Sequence, residues 1–440
     1  MIFRLQLTRK IVIAAFFAAF MTHSIESADT QKPEWFAIQL PKLVEFYQDL
    51  HRNPELSLAE KRTSKVLAEA LKAAGAEVTT GIGGYGIVGL LKNGEGPTVL
   101  VRSDMDGLPV TETTGAKYSS QSKATDSEGR STGVMHACGH DIHMTCLSGT
   151  AKWLADHREK WSGTVILIGQ PAEERVVGAK AMLDAGLYTK FPKPMAALAL
   201  HVAHDLPVGK VGTISGPAFA SSTSVDITVK GRGGHGAMPN NTIDPIVQAS
   251  MLVVDLQTIV SRQVSPIDAA VVTVGSFHGG TKHNIIPNDV HLQLTVRAFR
   301  DETRELLLSS IRRKADGIAH AHNAPKPEIT IAEGISSTTN SPELVAKVVP
   351  AFENALGQSN VVVVSPTTGA EDFGLYGRDG VPTFMFRLGT VKPERIHEAQ
   401  NGGKPLPSLH SAEYLPVAEG SIETGVKAMS AAVVRLLPPK

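Results

Sequence analysis

Thr164-Val165-Ile166-Leu167-Ile168-Gly169-Gln170-Pro171-Ala172-Glu173-Glu174, residues 164–174, is the stretch on which the fold turns. Val165 to Ile168 is an unbroken apolar run, rich in β-branched residues and too short for a typical helix, so it reads as a strand. Continuous apolarity without alternation marks a strand covered on both faces. The run ends at Pro171, and two carboxylates follow at once. Acidic side chains just beyond a buried strand lie at the carboxyl edge of a sheet, where α/β proteins keep their sites.

The pattern recurs on either side. Residues 98–101 run apolar into Arg102-Ser103-Asp104-Met105-Asp106, and residues 196–200 run into His201. Helical periodicity predicts helices over 42–51, 58–74, 144–157 and 179–185. Strand and helix alternate, which predicts an α/β fold with a mixed sheet and helices on both faces. The pattern changes near Gly216. Residues 222–230 alternate strictly, with Val225, Ile227 and Val229 on one face, as in a half-exposed strand. A helix over 244–261, strands over 270–277 and 290–299, a helix over 303–322 and a strand over 328–331 complete the order of a ferredoxin-like α+β unit. Residues 343–356, 361–364 and 383–388 then resume the helix-and-strand pattern. The expected organisation is a catalytic domain in two parts, 33–215 and 334–440, holding an inserted domain at 216–333.

The 440 residues are 42% hydrophobic and 20% charged, with a formal net charge of zero. That balance gives no basic field to hold nucleic acid. Residues 1–10 carry Arg4, Arg9 and Lys10; residues 11–21 are apolar and uncharged; small residues follow at Ser24, Ser27 and Ala28. This is the layout of a signal peptide spanning 1–28, so export to a periplasmic or extracellular space is expected, with no membrane span left after cleavage. The two cysteines are Cys138 and Cys146. On one helix, eight residues would separate them by about 12 Å along the axis, too far for a disulfide.

A thiol in this context suits a metal. Met135-His136-Ala137-Cys138-Gly139-His140-Asp141-Ile142-His143 packs three histidines, a cysteine and an aspartate into nine positions. Thiolate and imidazole are ligands for zinc and its borderline neighbours. Cys138, His140, Glu174, His201 and His410 together supply a hydrolytic metal site. Glu173 and Glu174 are neighbours, so one is able to bind metal while the other faces a water molecule. Asp106 reads as a carboxylate that orients a ligand, with helix capping as the plainer alternative for Asp104 and Asp106. In the insert, the glycine-rich loop 231–236 presents His235 toward a developing oxyanion. Arg297 is a candidate clamp for a substrate carboxylate, or a surface strand residue.

These motifs resemble the amidohydrolase branch of the aminoacylase and carboxypeptidase di-metal peptidases, which holds hippurate hydrolases, auxin-conjugate hydrolases and N-acyl-amino-acid deacylases. The resemblance rests on Leu50-His51-Arg52-Asn53-Pro54-Glu55, on residues 102–109, on the Cys138/His140 cluster, and on Gln170 to Glu174. It continues through His201, Gly233-Gly234-His235, Asn284-Ile285-Ile286-Pro287, Glu371-Asp372-Phe373 and Leu409-His410. It implies two divalent ions per subunit, zinc or manganese, held by Cys138, His140, Glu174, His201 and His410, with Glu173 as general base. It also implies that the insert is a dimerisation or lid domain, the protein being a homodimer. His235 and Asn284 would then help complete a site, that of the partner included. Gly107 departs from the family's usual Ala, and residues 394–408 are long and rich in Gly and Pro. The expected activity is hydrolysis of a small amide, an N-acyl amino acid. A dipeptidase or carboxypeptidase, a Cys138-dependent acyl hydrolase and a metal-dependent binding protein are the other readings.

Overall fold

The computed structural model describes residues 34–125, 129–332 and 334–440. The expected signal peptide lies outside the described residues. An eight-stranded mixed sheet forms the larger unit, in the order Glu77–Thr80, Ile87–Asn93, Gly163–Gln170, Thr98–Asp104, Ala196–Pro207, Thr383–Val391, Val211–Thr213, Val361–Val363. The four central strands from Gly163–Gln170 to Thr383–Val391 run parallel. Their carboxyl ends therefore meet along one edge.

Side-chain parity divides the sheet between two cores. Val99, Val101, Val165, Leu167, Leu198, Leu200, Phe384 and Phe386 join the helices of one face. Leu100, Ile166, Ile168, Ala197, Ala199 and Met385 face the other way, toward Met182, Phe373 and Tyr376. This is the physical content of the continuous apolar runs, since both faces of each strand are buried.

Helix His140–Asp156 starts four residues earlier than its periodicity predicts, and most of it is buried. It packs on Ala418–Leu436, a helix the sequence pattern does not announce. The two approach closely where a Cβ on Gly149 would stand 2.5 Å from Val426 Cγ2 and one on Gly425 would stand 2.4 Å from Cys146 Sγ. Glycine at the crossing lets the two helix backbones meet.

Residues 223–331 carry a second sheet in the antiparallel order Ala270–His278, Asp289–Ala298, Thr223–Lys230, Glu328–Ile331. Helices Pro245–Arg262 and Asp301–Ala321 cover one face, and the core is separate, built on Val225, Ile227, Leu256, Leu292, Leu294 and Ile311. Strand, helix, two strands, helix, strand is the ferredoxin-like order. Asp244 caps the first of these helices by accepting the Ile246 N–H at 2.8 Å.

Candidate metal centre

Four chain segments reach the carboxyl edge of the large sheet. Cys138 lies just before helix His140–Asp156, and Gly139 turns the chain between it and His140 with φ +75°. A Cβ at Gly139 would meet Val202 Cγ2 at 2.7 Å, so the turn is closed to larger residues. Glu173 and Glu174 follow strand Gly163–Gln170 through Ala172, whose φ is +51°. His201 stands on strand Ala196–Pro207, and His410, with φ +65°, is tied by its N–H to the Ala137 carbonyl at 2.9 Å. Positive φ at Ala172 and His410 stores strain beside the cluster, as functional sites often do.

The side chains converge. Cys138 Sγ lies 3.6 Å from His201 Nε2. Glu174 Oε1 lies 3.8 Å from His140 Nε2 and 3.5 Å from His410 Nε2. Glu173 Oε2 lies 3.9 Å from His140 Nε2. Asp106 sits beneath, 3.3 Å from His140 Nδ1, and accepts the N–H groups of Glu173 at 3.2 Å and Glu174 at 3.0 Å and the Ser57 hydroxyl at 2.6 Å. Asp106 therefore orients both glutamates and stands in ion-pair range of His140. Neither it nor Asp104 caps a helix; Asp104 bonds His143 and Arg102.

Bonding separates the histidines by role. The Val202 N–H donates to His143 Nε2 at 2.9 Å, so the ring proton is on Nδ1 and is donated to Asp104 at 2.6 Å. Both nitrogens of His143 are thereby used. His201 Nδ1 donates to the Val202 carbonyl at 2.9 Å, which leaves Nε2 free for the cluster. His140 Nε2 and Glu174 Oε1 are buried without a hydrogen-bond partner. Buried polar atoms are rarely left so, and these two face one another at 3.8 Å, a gap that a cation would fill.

The electrostatics agree. Burial, Glu371 and Glu174 push the Glu173 carboxyl well above its ordinary range. Burial pushes Glu174 up to about 7 against the pull of His140. Burial among Glu174 and Glu173 raises the Cys138 thiol. Burial opposes protonation of His140, but Asp104 and Asp106 outweigh it and lift the group to about 10. The cluster carries an excess of negative charge that divalent cations would neutralise, and its thiol, imidazole and carboxylate donors fit such ions.

A network unannounced in the sequence supports the cluster. Arg102 is fully buried and pairs with Asp104 at 2.7 Å, Glu371 at 2.8 Å and Asp372 at 3.1 Å. Its Nε donates to Gln170 Oε1 at 2.9 Å, and Gln170 Nε2 donates to Asp372 at 2.7 Å. This arginine ties the ends of strands Thr98–Asp104 and Gly163–Gln170 to the 371–373 segment. His51 is likewise buried between Asp141 at 2.7 Å and Glu112 at 3.2 Å, which together raise it to about 9 in spite of burial.

A cleft of about 430 Å³ opens over Cys138, Glu173, Glu174, His201 and His410, and Arg297 of the inserted domain lines it too. The structure does not bring His235 and Asn284 there. They sit together on the inserted domain, where the Gly236 N–H donates to the Asn284 carbonyl at 2.9 Å, and His235 is exposed. Arg387, His204 and Phe219 also line the cleft and escaped the sequence reading. Arg387 had a signal, being a lone charge inside an otherwise apolar run over 384–388.

A mixed α/β sheet with a thiol, imidazole and carboxylate cluster at its carboxyl edge defines a metal-dependent hydrolase. Residues 100–431 match the model of peptidase family M20/M25/M40, and the chain belongs to that family. It is 40% identical over 334 residues to a hippurate hydrolase of Campylobacter jejuni, covering 74% of this chain and 82% of that protein. It is 35% identical over 368 residues to an N-acetylcysteine deacetylase of Bacillus subtilis, covering 81% and 90%. Among solved structures it is similar to the Bacillus subtilis YXEP protein, a dinuclear metal-binding peptidase of the M20 family. That likeness has a TM-score of 0.74 at 29% identity and covers 90% of this chain and 98% of the other. The fold is that of the dinuclear M20 peptidases, which bind divalent metal ions.

Proposed function

We propose that this chain is an exported hydrolase of N-acyl amino acids, with two divalent ions, zinc or manganese, held by Cys138, His140, Glu174, His201 and His410. The observation that carries the substrate reading is the composition of the cleft wall. Arg297, half-buried and among the described residues bonded only through Nε to Thr295 Oγ1 at 3.2 Å, offers its guanidinium to a free carboxylate. Among the described residues the carboxylates lining the cleft are Glu173 and Glu174, both in the cluster. A dipeptide's ammonium group has no counter-ion left there, whereas a blocked amine needs none. The hippurate hydrolase and N-acetylcysteine deacetylase names of relatives agree with this choice.

Metal ions bound in the cluster supply Lewis-acid polarisation of the scissile carbonyl and acidify a water molecule. Glu173 takes that water's proton and returns it to the leaving amine. Asp106 holds Glu173 and Glu174 by their backbone N–H groups, so neither carboxylate drifts. Arg297 orients the substrate. A nucleophilic role for Cys138 is disfavoured, because its Sγ faces His201 Nε2 at 3.6 Å inside the donor cluster, where a bound ion would occupy the sulfur.

The test is a panel of N-acetyl, N-benzoyl and longer N-acyl amino acids alongside dipeptides. N-acyl amino acids are expected to be cleaved, with activity lost to chelators and restored by zinc or manganese. Faster cleavage of dipeptides overturns the substrate reading. Activity that survives chelation and dies on thiol alkylation overturns the metal reading.

His235 then acts in a homodimer. Val247, Met251 and Val254 form an exposed apolar stripe along helix Pro245–Arg262, and Ala270–His278 is an edge strand of the same domain. A stripe beside a free edge suits a self-complementary contact. It supports the His235 of one subunit serving the cleft of the other. His235→Ala and Glu173→Gln are each expected to be nearly inactive alone. After mixing and reassortment of subunits, about a quarter of the sites regain both residues and activity returns to that level. No recovery in a mixture shown to hold heterodimers would remove His235 from the partner's site.

A further inference from the structure

We propose that Arg387 binds a second carboxylate of the substrate, so that the enzyme favours diacidic N-acyl amino acids over monoacidic ones. The inference deepens the reading of the cleft as an N-acyl amino acid site and rests on it. Arg387 lies on the central strand Thr383–Val391, whose neighbours Phe384, Met385, Phe386 and Leu388 are all buried. In the parallel ladder it pairs in register with His201. The guanidinium is thus set beside a member of the metal cluster. It lies 5.6 Å from the Phe219 ring centroid, and the same ring stands 5.7 Å from that of His201.

The contrast with Arg102 is the argument. Arg102 is buried and saturated by three carboxylates and Gln170. Arg387 has a buried Nε with no hydrogen-bond partner, and no carboxylate lies within 4.0 Å of it among the described residues. Burial lowers its pKa, with Asp205 pulling the other way from beyond ion-pair distance. An inward-facing cation with an aromatic ring but no anion beside it is costly to keep, and a carboxylate from outside the chain reduces that cost. His204 presents a second unpartnered buried atom, Nδ1. Arg387, His204 and Thr367 line both the metal cleft and an adjoining cleft of about 460 Å³ that Ser365 and Thr368 help to form, with Asp205 on its wall beyond ion-pair distance of Arg387. Together they make a polar cup beside the metal cluster, separate from Arg297 on the inserted domain. With Arg297 holding the α-carboxylate, this cup takes another. The second carboxylate comes either from the amino acid side chain, as in glutamate, or from a dicarboxylic acyl group, as in succinyl.

The experiment compares wild type, Arg387→Leu and Arg387→Lys as metal-loaded full chains. The substrates are N-acetyl-glutamate, N-succinyl-leucine and N-acetyl-leucine, with metal per chain measured on the same samples. In Arg387→Leu the kcat/KM ratio of one diacid to N-acetyl-leucine is expected to fall roughly 10- to 100-fold, mainly through KM, as the loss of one charge-assisted pair implies. Arg387→Lys recovers part of it. The diacid that falls names the source of the carboxylate. Unchanged ratios overturn the proposal, as does an equal loss on all three substrates that tracks metal depletion. Binding of glutarate against butyrate, followed by calorimetry, is independent of turnover. Wild type is expected to prefer glutarate and Arg387→Leu to lose the preference. If wild type cleaves none of the amides but keeps the glutarate preference, the activity reading fails and the Arg387 site stands. If wild type shows no preference, the Arg387 site fails.

Discussion

Glu173→Gln is expected to keep its full complement of metal and lose at least a hundredfold in turnover, about 3 kcal/mol of transition-state stabilisation. The amide is isosteric, and the backbone N–H that anchors residue 173 to Asp106 is untouched, so the position of the group is preserved. What disappears is the ability to hold a proton between water and leaving amine. The fold should not suffer. Glu173 is buried against Glu371 and Glu174, and removing one charge from that group relieves repulsion. Melting temperature without metal is therefore expected to hold steady or rise while rate collapses. Glu174→Gln separates the two neighbours: Glu174 faces both His140 and His410, so its loss should lower metal content as well as rate. Near-normal turnover in metal-loaded Glu173→Gln would falsify the base assignment.

The adjacent glutamates also mark the limit of sequence reading. Continuous apolar runs at 165–168 and 196–200 were enough to give strands buried on both faces, because the runs are short and end in chain-breaking or site residues. Strict alternation at 222–230 was enough to give a sheet with one covered face. Helix Ala418–Leu436 escaped because it is buried over most of its surface and carries small residues where the sheet and helix His140–Asp156 press on it, so it has no single apolar stripe. Within the cluster, residue types gave the donors but not their duties. His143 is as good a ligand type as His140, and only the Val202 N–H and Asp104 bonds show that both its nitrogens are used. Arg102 and Glu371 are 269 positions apart, and no periodicity links them. His235 and Asn284 stand on two separate polar loops in the sequence, and only the fold shows that they sit together on the inserted domain, away from the cleft of their own chain.

Cys138→Ala carries the other large effect, and its signature is the reverse of that at Glu173. Cys138 Sγ faces His201 Nε2 at 3.6 Å, and the thiol shares a cluster with Glu174 and His410. Removing it takes away a donor and one negative charge from a centre that needs both to hold a divalent ion. Loss of supporting residues around metal ligands alone costs about 10- to 100-fold in affinity, so loss of a direct donor is expected to cost at least about 100-fold. Metal per chain and rate should fall together, and excess metal should restore part of the rate, because Glu173 is intact. Cys146 provides the control. It is a buried, free thiol in helix His140–Asp156, packed near Gly425, and Cys146→Ala should leave a small cavity costing about 1 kcal/mol of stability with metal content unchanged. If Cys138→Ala instead behaves like Cys146→Ala, full in metal and slightly less stable, then Cys138 is a core residue and the cluster is closed by His140, Glu174, His201 and His410 alone.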